Sequence, residues 1–290
     1  MALSFRRVGR SRQGGSRRRW PVRVKWLVLV VIMLHGCADR LILFPSTERE
    51  DSNGAERCVV RFGQGELEVF RACSPGAANS EPEAFVLTFQ GNAGRAEWSA
   101  AWDAQLWKEK RVEVWAMNYP GYGGSTGPAR LASFPAAALT AYDALKAHAG
   151  GRPVFLKGES LGTSVALHVA ANRRVAGVIL RSPVPLRTLI LGRFGWWNLW
   201  LAAGPVAMAV PDELNALTTA PKTKAPAIVI LTDPDEVVPP KYQRMVVRAY
   251  GGERRLIEKA AADHNGALSP MARIELEGAM DWLWEQRSRV

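Results

Sequence analysis

From Ala84 onward, short runs of consecutive apolar residues alternate with longer stretches whose apolar positions recur every three or four residues. The runs are AFVLTF (84–89), VEVWAMN (112–118), PVFLKG (153–158), VAGVILRS (175–182) and PAIVILT (226–232). Near-continuous apolarity predicts strands buried on both faces, because a strand with one solvated face alternates instead. Between them, AEWSAAWDAQLWKEK (96–110), FPAAALTAYDALKAHA (134–149) and SLGTSVALHVAANR (160–173) carry helical spacing, and PMARIELEGAMDWLWEQR (270–287) predicts a last helix with a proline in its first turn. Strands and helices in alternation predict an α/β fold. Its sheet is mostly parallel and doubly wound, with helices on both faces and right-handed crossovers.

Two stretches break this rhythm. CVVRF-GQG-ELEVF (58–70) predicts an antiparallel hairpin at the N-terminal side of the sheet. Pairing Phe62 with Glu66 sets Cys58 opposite Phe70, so a Cys58–Cys73 disulfide needs a bulge or a bent strand end. LRTLILGRFGWWNLWLAAGPVAMAV (186–210) carries three tryptophans within five positions and no acidic side chain. It is longer than an ordinary strand-to-helix connection. Two core-packing helices, a cap over an apolar pocket, or a face that meets lipid all suit its composition. Its place after a strand end favours a short cap insertion over 186–215, because ligand sites of open α/β sheets lie at such ends.

Charge changes the picture at the N-terminus. The 290-residue chain carries a net +11, but residues 1–25 hold nine Lys or Arg and no acid. The rest carries 29 basic against 27 acidic side chains, which argues against a nucleic-acid-binding surface on the domain. Arg17, Arg18, Arg19, Arg23 and Lys25 precede the apolar run WLVLVVIML (26–34). That run is shorter than the ~20 residues a membrane-spanning helix needs and suits the apolar core of an export signal. LHGC (34–37) then resembles the site cut in bacterial lipoproteins, whose cysteine becomes the lipidated first residue; His35 is unusual for it. SRRRW (16–20) loosely resembles a twin-arginine signal, and an uncleaved anchor with its arginines inside is the alternative. The expected organisation is a signal or anchor over 1–36, a tether and lead-in over 37–56 and one folded α/β domain over 57–290. The expected location is the bacterial cell envelope, as a lipoprotein held through Cys37 and facing the periplasm or exterior.

The candidate chemistry sits in KGESLG, Lys157 to Gly162. A strand-to-helix turn reading G-x-S-x-G keeps small residues beside the serine because the backbone there is sharply bent and closely packed. Ser160 needs an imidazole to take its proton. His35 lies in the signal, His148 ends a helix in a solvent-facing or capping place, and His168 lies about 12 Å along the helix from Ser160. His264, in AADHNGAL before the last helix, is the candidate base. An acid after a late strand should orient it, and TDPDEVVPP offers Asp235 first, with Asp233 in reserve; either can instead be a turn-forming carboxylate. One oxyanion donor is the Leu161 backbone N–H; the second should come from the loop FQGNAGRAE (89–97).

FQGNAG, NYPGYGGSTG, GESLG, DPDEVVPP and DHN occur in the order and spacing of the α/β-hydrolase superfamily. They most resemble its membrane-associated serine hydrolases, in which the first loop reads F-H-G-N-A-G and the second D-Y-R-G-Y-G-x-S-x-G. LILFP (41–45) resembles the segment those proteins carry after their anchor. The resemblance implies the α/β-hydrolase fold from about residue 41 to the C-terminus and a Ser160–Asp235–His264 triad. It also implies that the Asn92 and Leu161 backbone N–H groups bind the oxyanion. Gln90 replaces the usual histidine, Asn118 the usual aspartate, and Leu231-Thr232 the usual His-Gly. The expected activity is hydrolysis of an apolar ester or thioester through an acyl-enzyme, without metal or organic cofactor. A peptidase or acyltransferase on the same triad, or a non-catalytic envelope lipoprotein on a hydrolase scaffold, are the alternatives.

Overall fold

The computed structural model describes Met33 and residues 37–196, 200–261 and 263–289. Most of the candidate export signal and the apolar run 26–34 lie outside the described residues. No helix among the described residues is long and apolar enough to cross a membrane. Cys37 is exposed and directly precedes a short helix, α1 (Ala38–Ile42).

Eight strands form one sheet: β1 (Glu56–Phe62), β2 (Gly65–Cys73), β3 (Ala84–Phe89), β4 (Val112–Met117), β5 (Val154–Glu159), β6 (Gly177–Arg181), β7 (Ala227–Ile230) and β8 (Arg254–Ile257), in the order β1-β2-β4-β3-β5-β6-β7-β8. β1, β2 and β4 pair antiparallel, and every pair from β4 to β8 is parallel. The helices are α2 (Ala96–Gln105), α3 (Phe134–Ala149), α4 (Leu161–Asn172), α5 (Leu186–Phe194), α6 (Ala203–Met208), α7 (Pro240–Ala249) and α8 (Pro270–Glu285). The alternating pattern predicts the mostly parallel sheet, and the resemblance implies the α/β-hydrolase arrangement in which it is found.

Period-two geometry explains why the central strands are apolar throughout. On β3, Phe85, Leu87 and Phe89 join a core with Tyr142 and Leu145 of α3 and Val165 of α4. Ala84 and Val86, on the other face, join Trp107 and the α8 residues Leu276, Met280 and Leu283. Lys157 interrupts the apolar β5 yet is buried. Its ammonium lies 2.8 Å from the buried Asp103 carboxylate of α2, the partner that an interior charge requires.

The hairpin differs from its predicted register by one residue. Phe62 pairs with Gly65 and Cys58 with Val69, because the loop is only Gly63-Gln64 and Gly65 already belongs to the strand. Gly63, at φ +59°, supplies the positive φ that tight two-residue hairpin turns use. Cys58 and Cys73 are both free thiols. β8 is missing from the sequence reading. It is four residues of an edge strand, RRLI, exposed except at Ile257, so neither continuous apolarity nor a clear alternation marks it. The expected 96–110 helix stops at Gln105, and Lys108 takes φ +44° in the turn beyond.

Two histidines are placed by packing. His148, in the last turn of α3, lies against Phe85 and Trp115 with Nε2 3.2 Å from the Glu113 carboxylate. His168 is buried on α4, and burial pushes its pKa down. Neither contacts Ser160.

Candidate active site

The loops leaving the C-terminal ends of β3, β4, β5 and β7 meet along one edge of the sheet. Between β5 and α4 a single residue turns the chain. Ser160 sits at φ +50° and ψ −118°, and its N–H is held by the Arg181 carbonyl at 2.9 Å. A serine in this region of backbone space stores of order 1–3 kcal/mol, so its surroundings must over-determine it. They do. A Cβ on Gly158 would lie 2.5 Å from the Gly162 carbonyl oxygen, and one on Gly162 would lie 2.1 Å from that of Phe89. Glycines on both sides of the serine therefore let β3, β5 and α4 pack backbone to backbone.

The acid and the imidazole come together at the end of β7. Asp235 Oδ2 lies 2.7 Å from His264 Nδ1, and both residues are buried. A carboxylate accepts, so the proton of this bond sits on Nδ1 and leaves Nε2 as the basic nitrogen. Asp235 Oδ1 accepts from the Val237 and Val238 N–H groups at 2.9 and 2.7 Å. Asp233 makes no such contact; the structure brings Asp235 to the histidine. The His264 loop is tied back to the residue that holds the Ser160 N–H, because the Arg181 guanidinium donates to the Gly266 carbonyl at 2.5 Å.

Opposite this pair lies the β3–α2 loop. A Cβ on Gly91 would stand 3.6 Å from that of Ser160, so the loop runs directly beside the serine. Among the described residues, the backbone N–H groups of Asn92 and Leu161 have no acceptor. Leu161 opens α4, where the helix leaves its first N–H groups unpaired. The arrangement can take up a developing negative charge next to a hydroxyl.

Two features escaped sequence reasoning. Gln243, fully buried on α7, donates from Nε2 to Asp235 Oδ2 at 3.1 Å and to the Val238 and Thr232 carbonyls, while its Oε1 accepts from the Thr232 N–H. It fixes the acid loop. The only signal was a glutamine on the face of α7 that also carries Tyr242 and Val246. The second feature is the Asn92 side chain. Oδ1 accepts from the Phe44 N–H and the Tyr122 hydroxyl, both at 3.1 Å, and Nδ2 donates to the Ile42 carbonyl. The segment after α1 is thereby clamped to the β3–α2 loop.

The departures from the resembling sequences have local reasons. Gln90 Oε1 accepts from Ser99, and its carbonyl accepts from the Tyr119 hydroxyl. Asn118 lies between two buried carboxylates, donating from Nδ2 to Glu68 at 2.8 Å and to Glu97 at 3.0 Å, while Oδ1 accepts from the Ala96 N–H. Burial pushes the Glu68 pKa up, but Arg57, the Gly124 N–H and Asn118 outweigh it and hold the group below its ordinary value. An aspartate at 118 would face two acids with no proton to give. Asn118→Asp is expected to cost about 3 kcal/mol at pH 8. The deficit should shrink towards pH 5, because the introduced carboxyl has a raised folded-state pKa and its repulsion is absent once it is protonated. Thermal melts of both proteins at the two pH values check this.

A family model described as the alpha/beta hydrolase fold matches residues 85–270, and the chain belongs to that family. The uncharacterized protein Rv2307c of Mycobacterium tuberculosis is 27% identical over 267 residues, covering 88% of this chain and 90% of its own. Alpha/beta hydrolase domain-containing protein 17B of Homo sapiens is 30% identical over 118 residues, 40% of this chain and 39% of the human protein. Among solved structures, Est1E from Butyrivibrio proteoclasticus superposes with a TM-score of 0.63 at 16% identity, over 80% of this chain and 99% of its own; this likeness shows the fold.

Proposed function

We propose that the chain is a membrane-tethered serine hydrolase that cleaves an apolar carboxylic ester or thioester through an acyl-enzyme. The observation that carries the reading is the Asp235–His264 pair at 2.7 Å, on the same sheet edge as a serine in a strained turn beside two unpaired backbone N–H groups. Ser160 Oγ attacks the acyl carbon while His264 Nε2 takes its proton. The carbonyl electrons move onto oxygen, where the Asn92 and Leu161 N–H groups donate to the oxyanion. The tetrahedral adduct collapses, and the alcohol or thiol leaves with the proton from Nε2. Water repeats the sequence on the acyl-serine, releases the carboxylic acid and restores Ser160. Asp235 stays ionised, keeps the imidazole in the reactive tautomer and stabilises its cation; Gln243 and the Val237 and Val238 N–H groups hold the carboxylate in place.

A fluorophosphonate probe is expected to label the wild-type chain and not Ser160→Ala. Equal labelling of both, or of neither, would remove the enzyme reading. With p-nitrophenyl esters of increasing chain length, kcat/KM should rise from acetate into the medium-chain esters if α5 and α6 act as an apolar cap.

The tether reading rests on the basic residues 1–25, the apolar run 26–34 and LHGC ending at an exposed Cys37. It places the domain in the bacterial envelope, outside the cytoplasm. Cys37→Ala is expected to abolish incorporation of labelled fatty acid. Unchanged labelling and mass in that variant would exclude lipidation at Cys37.

A further inference from the structure

Large apolar side chains stand in water on the segments that flank the candidate site. Leu41, Phe44, Phe194, Trp196, Trp200 and Met208 are each between 47% and 74% exposed. The elements that carry them adjoin one another. α1, which carries Leu41, packs against α6, which carries Met208, and α6 packs against α5. Phe44 follows α1 and is held by Asn92 of the β3–α2 loop. On the far side, Arg193 of α5 donates to the carbonyls of Glu236 and Val237, and Val237 is itself about half exposed. The apolar surface thus reaches from the loop of Asn92 to the loop of Asp235, the two sides between which Ser160 lies.

We propose that this surface, formed by α1, α5 and α6, lies on a phospholipid bilayer, so that the site receives an acyl ester from the membrane rather than from water. Three observations select a bilayer as the occupant. Chain continuity is the first. Residues 26–34 are apolar, nine Lys or Arg precede them, and either tether, that stretch or a lipid on Cys37, joins the described fold at Cys37, directly before α1. The tether and the surface therefore meet at one point, and a membrane holding the first is within reach of the second. Composition is the second. Residues 186–210 contain three tryptophans, Arg193 and no acid, the Arg187 of this stretch being paired with Asp212, and Arg40 is exposed on α1. Tryptophan rings settle at the headgroup level, and cations are drawn to anionic lipid. Extent is the third. Single exposed apolar side chains need no explanation, whereas a run of aromatic and long aliphatic ones across three helices beside a site marks an interaction surface. The substrate part of this inference rests on the serine-hydrolase reading; the membrane contact does not.

The test uses the full-length chain in vesicles of phosphatidylethanolamine and phosphatidylglycerol. The wild type is compared with the double variant Leu41→Asp, Phe44→Asp, at exposed positions on and just after α1 and outside the 186–215 cap segment. Turnover of p-nitrophenyl palmitate dissolved in the bilayer is expected to fall about tenfold in the variant, because those side chains no longer gain from leaving water. Turnover of soluble p-nitrophenyl acetate should be unchanged. Equal losses on both esters, or no loss on the palmitate, overturn the proposal. A second measurement needs no catalysis. Brominated phospholipid should quench wild-type tryptophan emission more than that of the Trp196→Asp, Trp200→Asp variant, since the remaining tryptophans are common to both. Equal fractional quenching overturns the membrane contact even if the chain is an active hydrolase. If neither ester is turned over while the quenching difference persists, the contact stands and the hydrolase reading fails. A wild-type dimer in detergent that either double variant loses would assign the surface to a second copy and overturn the bilayer.

Discussion

Ser160→Ala is expected to lower kcat/KM for a soluble p-nitrophenyl ester by about 10⁴-fold or more, and adding His264→Ala to it should lower the rate little further. In the proposed mechanism the two side chains act as one unit. Without the hydroxyl there is no proton for Nε2 to take; without the imidazole the hydroxyl keeps its proton and attacks poorly. The residual rate should come from the Asn92 and Leu161 N–H groups, which neither substitution removes. Asp235→Asn should fall in the same direction by a smaller factor, because its amide can still accept a bond from Nδ1 but carries no charge to stabilise the imidazolium. Steady-state kinetics on the three single variants and the double variant measure this. Losses at Ser160 and His264 that multiply in the double variant, or a Ser160→Ala loss below tenfold, would exclude the shared role.

The second large effect is on the fold. Gly162→Ala is expected to destabilise the protein by about 3 kcal/mol or more, because the added Cβ meets backbone rather than a movable side chain. It would stand 2.1 Å from the Phe89 carbonyl oxygen and 2.6 Å from that of Gln90, so α4 and the end of β3 must separate. For a domain of this size that corresponds to a melting-temperature drop of roughly 6–12 °C. The matched control is Gly278→Ala on α8, where a Cβ meets nothing within 4 Å. There, lower unfolded-state entropy should raise stability by about 0.5–1 kcal/mol. Similar shifts for the two substitutions would mean that close packing beneath the serine turn is not what requires glycine at 162.

Much of the architecture could be read directly. AFVLTF coincides with β3 and FPAAALTAYDALKAHA with α3, because a strand buried on both faces and a long amphipathic helix each leave an unambiguous pattern over their whole length. RRLI left none. β8 is a strand only because β7 offers it a free edge. The hairpin shows the same limit at the scale of one residue, since GQG reads as a three-residue loop until the Phe62–Gly65 pairing is seen.

For the candidate site, the sequence determined the residue types and their order: a serine between glycines at a strand-to-helix boundary, an acid after a late strand, a histidine before the last helix. These follow from local chemistry, since a sharp turn requires glycines and a short list of histidines can be taken one at a time. The sequence put Asp235 ahead of Asp233, and tertiary structure brings Asp235 to His264; the two acids share one loop and differ in where the turn aims them. Tertiary structure alone decided what fixes those side chains. Gln243 reaches Asp235 from a helix, Arg181 reaches Gly266 across 85 positions, and Asn92 clamps Ile42 and Phe44. Such bonds join side chains to groups on other elements, up to 85 positions away in the chain. Their partners are chosen by packing, and packing has no local signature.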